Sequence, residues 1–270
     1  MVNLMQISKT VVSIVVITVF VCAVAFAAGQ SRGGSEVTVP SHAIELAPGL
    51  YDLGPAVIDG KVVHGLMHIH YKKGYARPGT GGNTGGDKCY AHISRGAKWK
   101  SLEGWVVNPA NNRGLDGLLV FDNLAGDISK WESSAGKEIF GSGVLTSNLL
   151  SVDTASPDNV NEVMFGSISE PGAIAVTVTW GNFGGPIGSR QLVEWDMIFD
   201  ENDFDWSSIG ETGKMDFENI ATHELGHALG MDHPSSGCTE ETMYAYASYG
   251  EIKKRDLNSG DKAGILALYK

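Results

Sequence analysis

Apolar residues recur every three or four positions in some stretches of this chain and every second position in others. Between residues 114 and 133, Leu118, Phe121, Leu124, Ala125, Ile128 and Trp131 fall on one side of a 3.6-residue spiral, which predicts an amphipathic helix. A second helix is predicted over 215–230, with Asp216 as its N-cap, and a third over 258–269. Strand-like runs lie at 104–108 (stopped by Pro109), 161–165, 173–180 and 192–199. Upstream, residues 43–71 hold short apolar stretches with β-like content and no long helical period. The run 78–87 reads by composition as a flexible loop or linker. Strands mixed with a few helices predict an α/β or α+β domain.

The first residues carry an address. A polar start with one cation, Lys9, leads into an almost wholly apolar run at 11–28, and small residues at 25–29 offer a cleavage site. That is the pattern of a secretory signal peptide. The run is about 18 residues, which is also long enough to stay as an N-terminal membrane anchor. Either outcome places the remainder outside the cytoplasm, secreted or held on the outer face of the membrane. The expected organisation is therefore 1–28 as signal or anchor, 29–98 as an N-terminal extension and candidate pro-segment, and 99–270 as the main domain.

Composition narrows the partners. With 20 Lys and Arg against 31 Asp and Glu, the formal net charge is −11, which argues against nucleic acid as a partner. The basic runs Tyr71-Lys72-Lys73 and Lys253-Lys254-Arg255 read as solvated surface patches. Of the three cysteines, Cys22 falls in the leader, which leaves Cys89 and Cys238 as an even pair in an oxidising compartment.

The chemistry gathers in one run, His223-Glu224-Leu225-Gly226-His227-Ala228-Leu229-Gly230-Met231-Asp232-His233. His223 and His227 are four apart, so a helix stacks both imidazoles on one face. Gly230 tolerates positive φ, letting the chain leave the helix and bring His233 back as a third ligand. Three neutral imidazoles and one open position suit a single catalytic zinc. Glu224 can then deprotonate a water held at that zinc and pass the proton to a leaving amine. The full spacing should arise by accident only on the order of once in 10⁴ chains of this length.

With those residues in hand, the sequence resembles the metzincin zinc peptidases, most closely the matrixin branch in its prokaryotic form. The resemblance covers roughly residues 99–270. It implies a metzincin-type catalytic domain: a twisted mixed sheet of about five strands with a long helix, an active-site helix and a C-terminal helix. It also implies a zinc-dependent endopeptidase acting on proteins or peptides. By resemblance Met243, in Thr242-Met243-Tyr244, forms the Met-turn under the histidines, and Asp261 supports that turn by hydrogen bonds. The 173–180 strand is similar to the edge strand that pairs with an extended substrate.

Some positions depart from the family. Ile198 stands where animal matrixins place a structural-zinc histidine, which argues against a second zinc. Asp200 and Asp203 sit where the family has calcium-binding carboxylates, so calcium is a second and weaker expectation beside two solvated loop acids. Matrixins are kept latent by a propeptide cysteine. Cys89 lies upstream but in Lys88-Cys89-Tyr90 rather than an Arg-Cys-Gly setting, and a Cys89–Cys238 disulfide is preferred to such a switch. His64, His68 and His70 alternate onto one strand face; they read as packed or surface histidines, with metal binding as the alternative.

Overall fold

The computed structural model describes residues 35–75 and 88–270, so the apolar leader and the 78–87 run lie outside it. Four strands come first: β1 (Ser35–Val37), β2 (Ile44–Ala47), β3 (Leu50–Ile58) and β4 (Lys61–Lys72). After β5 (Ala91–His92) and β6 (Glu103–Val107) comes the long helix α1 (Gly117–Ala135). Next are β7 (Phe140–Leu145), β8 (Glu162–Ile168), β9 (Ala173–Asn182), β10 (Gln191–Asp200), β11 (Trp206–Ser207) and β12 (Met215–Asp216). Helix α2 (Phe217–Ala228), β13 (Met231–Asp232), β14 (Tyr246–Ala247) and helix α3 (Ser259–Tyr269) complete the order.

Local chemistry sets the helix ends. Asp116 accepts the amides of Leu118 and Leu119 at 3.0 Å, and Gly136 closes α1 in the left-handed region. Asp216 caps α2, as its sequence position predicted, by accepting the amide of Asn219 at 3.1 Å. On α3, Asn258 and Asp261 form a reciprocal capping box.

The main sheet runs β2-β3-β4-β9-β10-β8-β6-β7, with β1 sharing an edge of β8 and β14 pairing with β4. The five strands β7, β6, β8, β10 and β9 form the mixed sheet that the resemblance implied, with β9 antiparallel to β10. The sheet does not stop there. The β3–β4 hairpin turns at Asp59-Gly60, both at positive φ, and β4 then pairs antiparallel with β9 from His64↔Gly181 to Tyr71↔Ala173. Residues 44–72 thus lie in the same sheet as the downstream elements, and β9 is interior where the resemblance placed an edge.

Two apolar clusters flank the sheet. One joins it to the helices, with Trp131 donating its indole N–H to the Thr222 carbonyl and Trp99 to that of Ala228, both at 2.8 Å. The other packs Met67, Ile69, Val176, Val178, Trp180 and Ile198 on the opposite face. Apolar residues on both faces explain why β9 reads as a continuous buried run rather than an alternating one.

Candidate metal centre

Helix α2 aims His223 and His227 to one side, as a four-residue spacing must. Its last turn gives way at Gly230, where φ is +98° and a Cβ would stand 3.0 Å from the Ala97 carbonyl oxygen. Only glycine fits there without strain. Strand β13 then pairs Met231 with His92 and returns the chain to the helix, carrying His233 back.

The three Nε2 atoms converge. His227 to His233 is 3.1 Å and His233 to His223 is 3.2 Å. The Nδ1–H of His223 donates to the Thr242 carbonyl at 2.6 Å and that of His227 to the Met231 carbonyl at 3.0 Å. Those bonds fix the tautomers and leave Nε2 lone pairs pointing at one another. Burial lowers all three pKa values, that of His227 to about 3, so the rings are neutral near pH 7. Facing lone pairs repel unless a cation lies between them. Tetrahedral ligands at the usual 2.0–2.1 Å from zinc stand roughly 3.3–3.4 Å apart, close to the spacing seen. The donor set fits zinc.

Beneath the histidines, Asp261 accepts the amides of Thr242 at 2.7 Å, Met243 at 3.1 Å and Asn258 at 2.9 Å. That holds the carbonyl that orients His223. Met243 is fully buried, and its sulfur lies 2.2 Å from where a Cβ on Gly226 would stand, so the turn presses directly on α2.

Glu224 is also fully buried. Its Oε1 accepts from His70 Nδ1 at 2.9 Å and its Oε2 from the Thr177 hydroxyl at 2.6 Å. Desolvation raises its pKa to about 8. A carboxylate oxygen of Glu224 and ring nitrogens of His223 and His70 lie within 4.8 Å of one another. His68 stacks on His227 with centroids 4.1 Å apart, and His70 lies against His223 at 3.9 Å. Of the three alternating histidines, His68 and His70 are packed against the centre, whereas His64 is exposed.

Sequence reading misplaced one residue. Lys254, taken for part of a solvated basic patch, is fully buried; its ammonium donates to His70 Nε2 at 3.1 Å and to the Tyr244 carbonyl. Burial lowers its pKa to about 7. Its neighbour Arg255 pairs with Asp216 at the start of α2.

The 185–270 segment matches the peptidase M10 (matrixin) family model. Over that stretch the chain is similar to the matrixin branch of the metzincins. It is 45% identical over 56 residues to Metalloendoproteinase 1-MMP of Arabidopsis thaliana, a match covering 20% of this chain and 14% of that protein. With Metalloendoproteinase 2-MMP of the same plant it shares 40% over 63 residues, 23% of this chain and 16% of the relative. The chain therefore spans a small fraction of the length of these relatives.

Elsewhere in the chain, Cys89 and Cys238 form a disulfide, so neither sulfur is free to ligate a metal. Both Asp200 oxygens already accept backbone amides, those of Ile168 at 2.8 Å and Asp203 at 2.5 Å. A carboxylate cluster that the sequence did not suggest brings an oxygen of each of Asp153, Glu194 and Asp196 within 4.8 Å of the others. Glu194 and Asp196 alternate on β10, a signal that could have shown they share a face; Asp153 comes from a distant loop.

Proposed function

We propose that this chain is a zinc-dependent endopeptidase, secreted or anchored to the outer face of the membrane, that hydrolyses protein or peptide substrates. The convergence of three neutral imidazoles beside one buried carboxylate carries the reading. When bound there, zinc supplies a Lewis acid that lowers the pKa of water to about 7 and polarises a scissile carbonyl. His223, His227 and His233 would hold it, oriented by the carbonyls of Thr242 and Met231. Glu224 supplies the base that takes the proton of the attacking water and returns it to the leaving amine. The apolar leader and the Cys89–Cys238 disulfide support export. No helix among the described residues is long and apolar enough to cross a membrane. Calcium at Asp200 and Asp203 stays a weaker proposal, since the Asp200 oxygens are engaged already.

One observation favours a second reading, a zinc centre serving stability only: the site is buried beneath His68 and His70. The full-length chain and its Glu224→Ala variant, both assayed for zinc content and for cleavage of quenched peptides, separate the two. Endopeptidase activity predicts one zinc per chain in both and cleavage lost in the variant. Equal cleavage by the two proteins, or a chain that takes up no zinc, defeats the proposal.

A further inference from the structure

A cleft of about 680 Å³ opens between residues 88–100, the loop before β10 and the end of α3. Its cationic side chains are Lys88, Arg95, Lys98, Lys100, Arg190 and Lys270, and no Asp or Glu among the described residues lines it. The whole chain carries −11, so the fold has gathered a local surplus of the opposite sign.

The cations are held without being neutralised. Lys98 donates to the backbone oxygens of Leu268 at 2.9 Å and Lys270 at 3.4 Å, and Lys100 to that of Gly188 at 2.8 Å. Arg190 donates to the carbonyls of Gly185 and Arg95, both at 3.1 Å, and Lys88 lies 5.6 Å over the Tyr90 ring. Such contacts satisfy donors and supply no carboxylate side chain. Elsewhere the pattern differs: Arg113, Lys130, Lys214, Lys253 and Arg255 each have a carboxylate within 3.5 Å.

A concave site of one sign focuses its field and draws in opposite charge. Lys98 is half-buried whereas Lys88, Arg95 and Lys100 are exposed, a range of depth that a flat bilayer cannot follow. Ile187, 47% exposed, and the Tyr90 ring put apolar surface among the charges. That suits a peptide mixing acidic and apolar side chains better than a uniformly charged sugar polymer. The position also fits a substrate. His92 of the cleft pairs with Met231, on the strand that returns His233, and Leu268 Cδ2 lies 3.1 Å from where a Cβ on Gly230 would stand. A chain held at both places gains effective concentration with no new contact at the bond to be cut.

We propose that this cleft is an exosite for an Asp- and Glu-rich segment of the protein substrate, remote from the cleaved bond. The enzyme then prefers proteins bearing such a stretch, through a lower KM rather than a higher kcat. This rests on the endopeptidase reading and names the substrate class of that same site.

The test uses the full zinc-loaded chain and two quenched peptides with one cleavable core. One carries a Glu-rich tail and the other its Gln counterpart, joined through Gly-Ser linkers of several lengths. The exosite predicts a KM about tenfold lower for the Glu tail, an equal kcat, and a preference that fades near 1 M salt, where the Debye length is about 3 Å. Lys88→Glu with Arg95→Glu should erase the preference. Lys73→Glu with Lys262→Glu, an equal change of charge at exposed residues outside the cleft, should keep it. Equal KM values at every linker length, or a preference lost in both double variants, overturn the exosite, while cleavage of the core still upholds the endopeptidase. Fluorescence anisotropy of the uncleavable Glu tail checks the cleft without catalysis; affinity should fall about tenfold in the Lys88/Arg95 variant. Binding of a sulfated oligosaccharide or of phosphatidylserine vesicles through Lys88 and Arg95, with the Glu tail unbound, overturns the peptide as occupant. A chain that binds the Glu tail and cuts neither peptide removes the endopeptidase reading, and the exosite role with it.

Discussion

Gly226 lies between the two helical histidines, and the structure assigns it a steric task. A Cβ at this position would sit 2.2 Å from Met243 Sδ and 2.9 Å from Trp131 Cζ2. Carbon and sulfur need about 3.5 Å or more, so Gly226→Ala demands a displacement on the order of 1 Å in a fully buried contact. Overpacking of this kind costs about 1–3 kcal/mol. Replacing a helical glycine by alanine returns about 1 kcal/mol. A net loss of up to about 2 kcal/mol remains, or a melting temperature lower by up to roughly 8 °C for a domain of this size. The consequence reaches the metal, because Thr242, next to Met243, orients His223 through its carbonyl. Zinc affinity should fall by about tenfold, the lower end for disturbed partners of metal ligands. Thermal unfolding and chelator competition measure the two effects. Shortening the obstruction with Met243→Ala should relieve the clash, so the double variant should be more stable than the sum of the single losses allows. A Gly226→Ala protein with unchanged zinc affinity, or strictly additive losses, would refute the idea that this close approach sets the histidine geometry.

Two more consequences follow from buried charges and the cross-link. Burial raises Glu194 from 4.5 to about 8, and Asp153 and Asp196 beside it are raised as well. The folded chain therefore keeps protons that the unfolded chain releases between roughly pH 4 and 8, and stability must fall as pH rises through that window. Urea unfolding of the zinc-loaded protein at pH 5 and pH 8 should show the loss, and Glu194→Gln should flatten it; an unchanged slope in the variant contradicts the assignment. The Cys89–Cys238 bond closes a sequence separation of 149 residues. Its reduction should cost on the order of 4 kcal/mol, about 10 °C in melting temperature, and a calorimetric scan with and without reductant that shows no shift would argue against it.

What could be read from the sequence was what is local. His223, His227 and His233 lie within one helical turn, a glycine exit and a short return, so their meeting follows from i, i+4 spacing and the freedom of Gly230. The helices were legible from their three-to-four-residue apolar spacing and, for α2, from the capping acid Asp216. Partners far apart in the chain were not legible. Residues 66–70 of β4 are buried on both faces, which erases the alternation that would mark a half-buried strand, and nothing nearby ties them to β9. Asp59-Gly60 was a usable hairpin signal and would have paired β3 with β4, though not β4 with the active-site helix. Lys254 misled because a cation in a basic run is ordinarily solvated; a tight turn at Lys253–Arg255 points it inward to His70 instead.

Zinc K-edge absorption of the full-length protein, alone and as the His233→Ala variant, tests the metal centre most directly. Three imidazole nitrogens at about 2.0–2.1 Å, with one lost in the variant, are expected if these rings hold the ion. A sulfur ligand, or a coordination shell indifferent to His233, would show that the metal sits elsewhere.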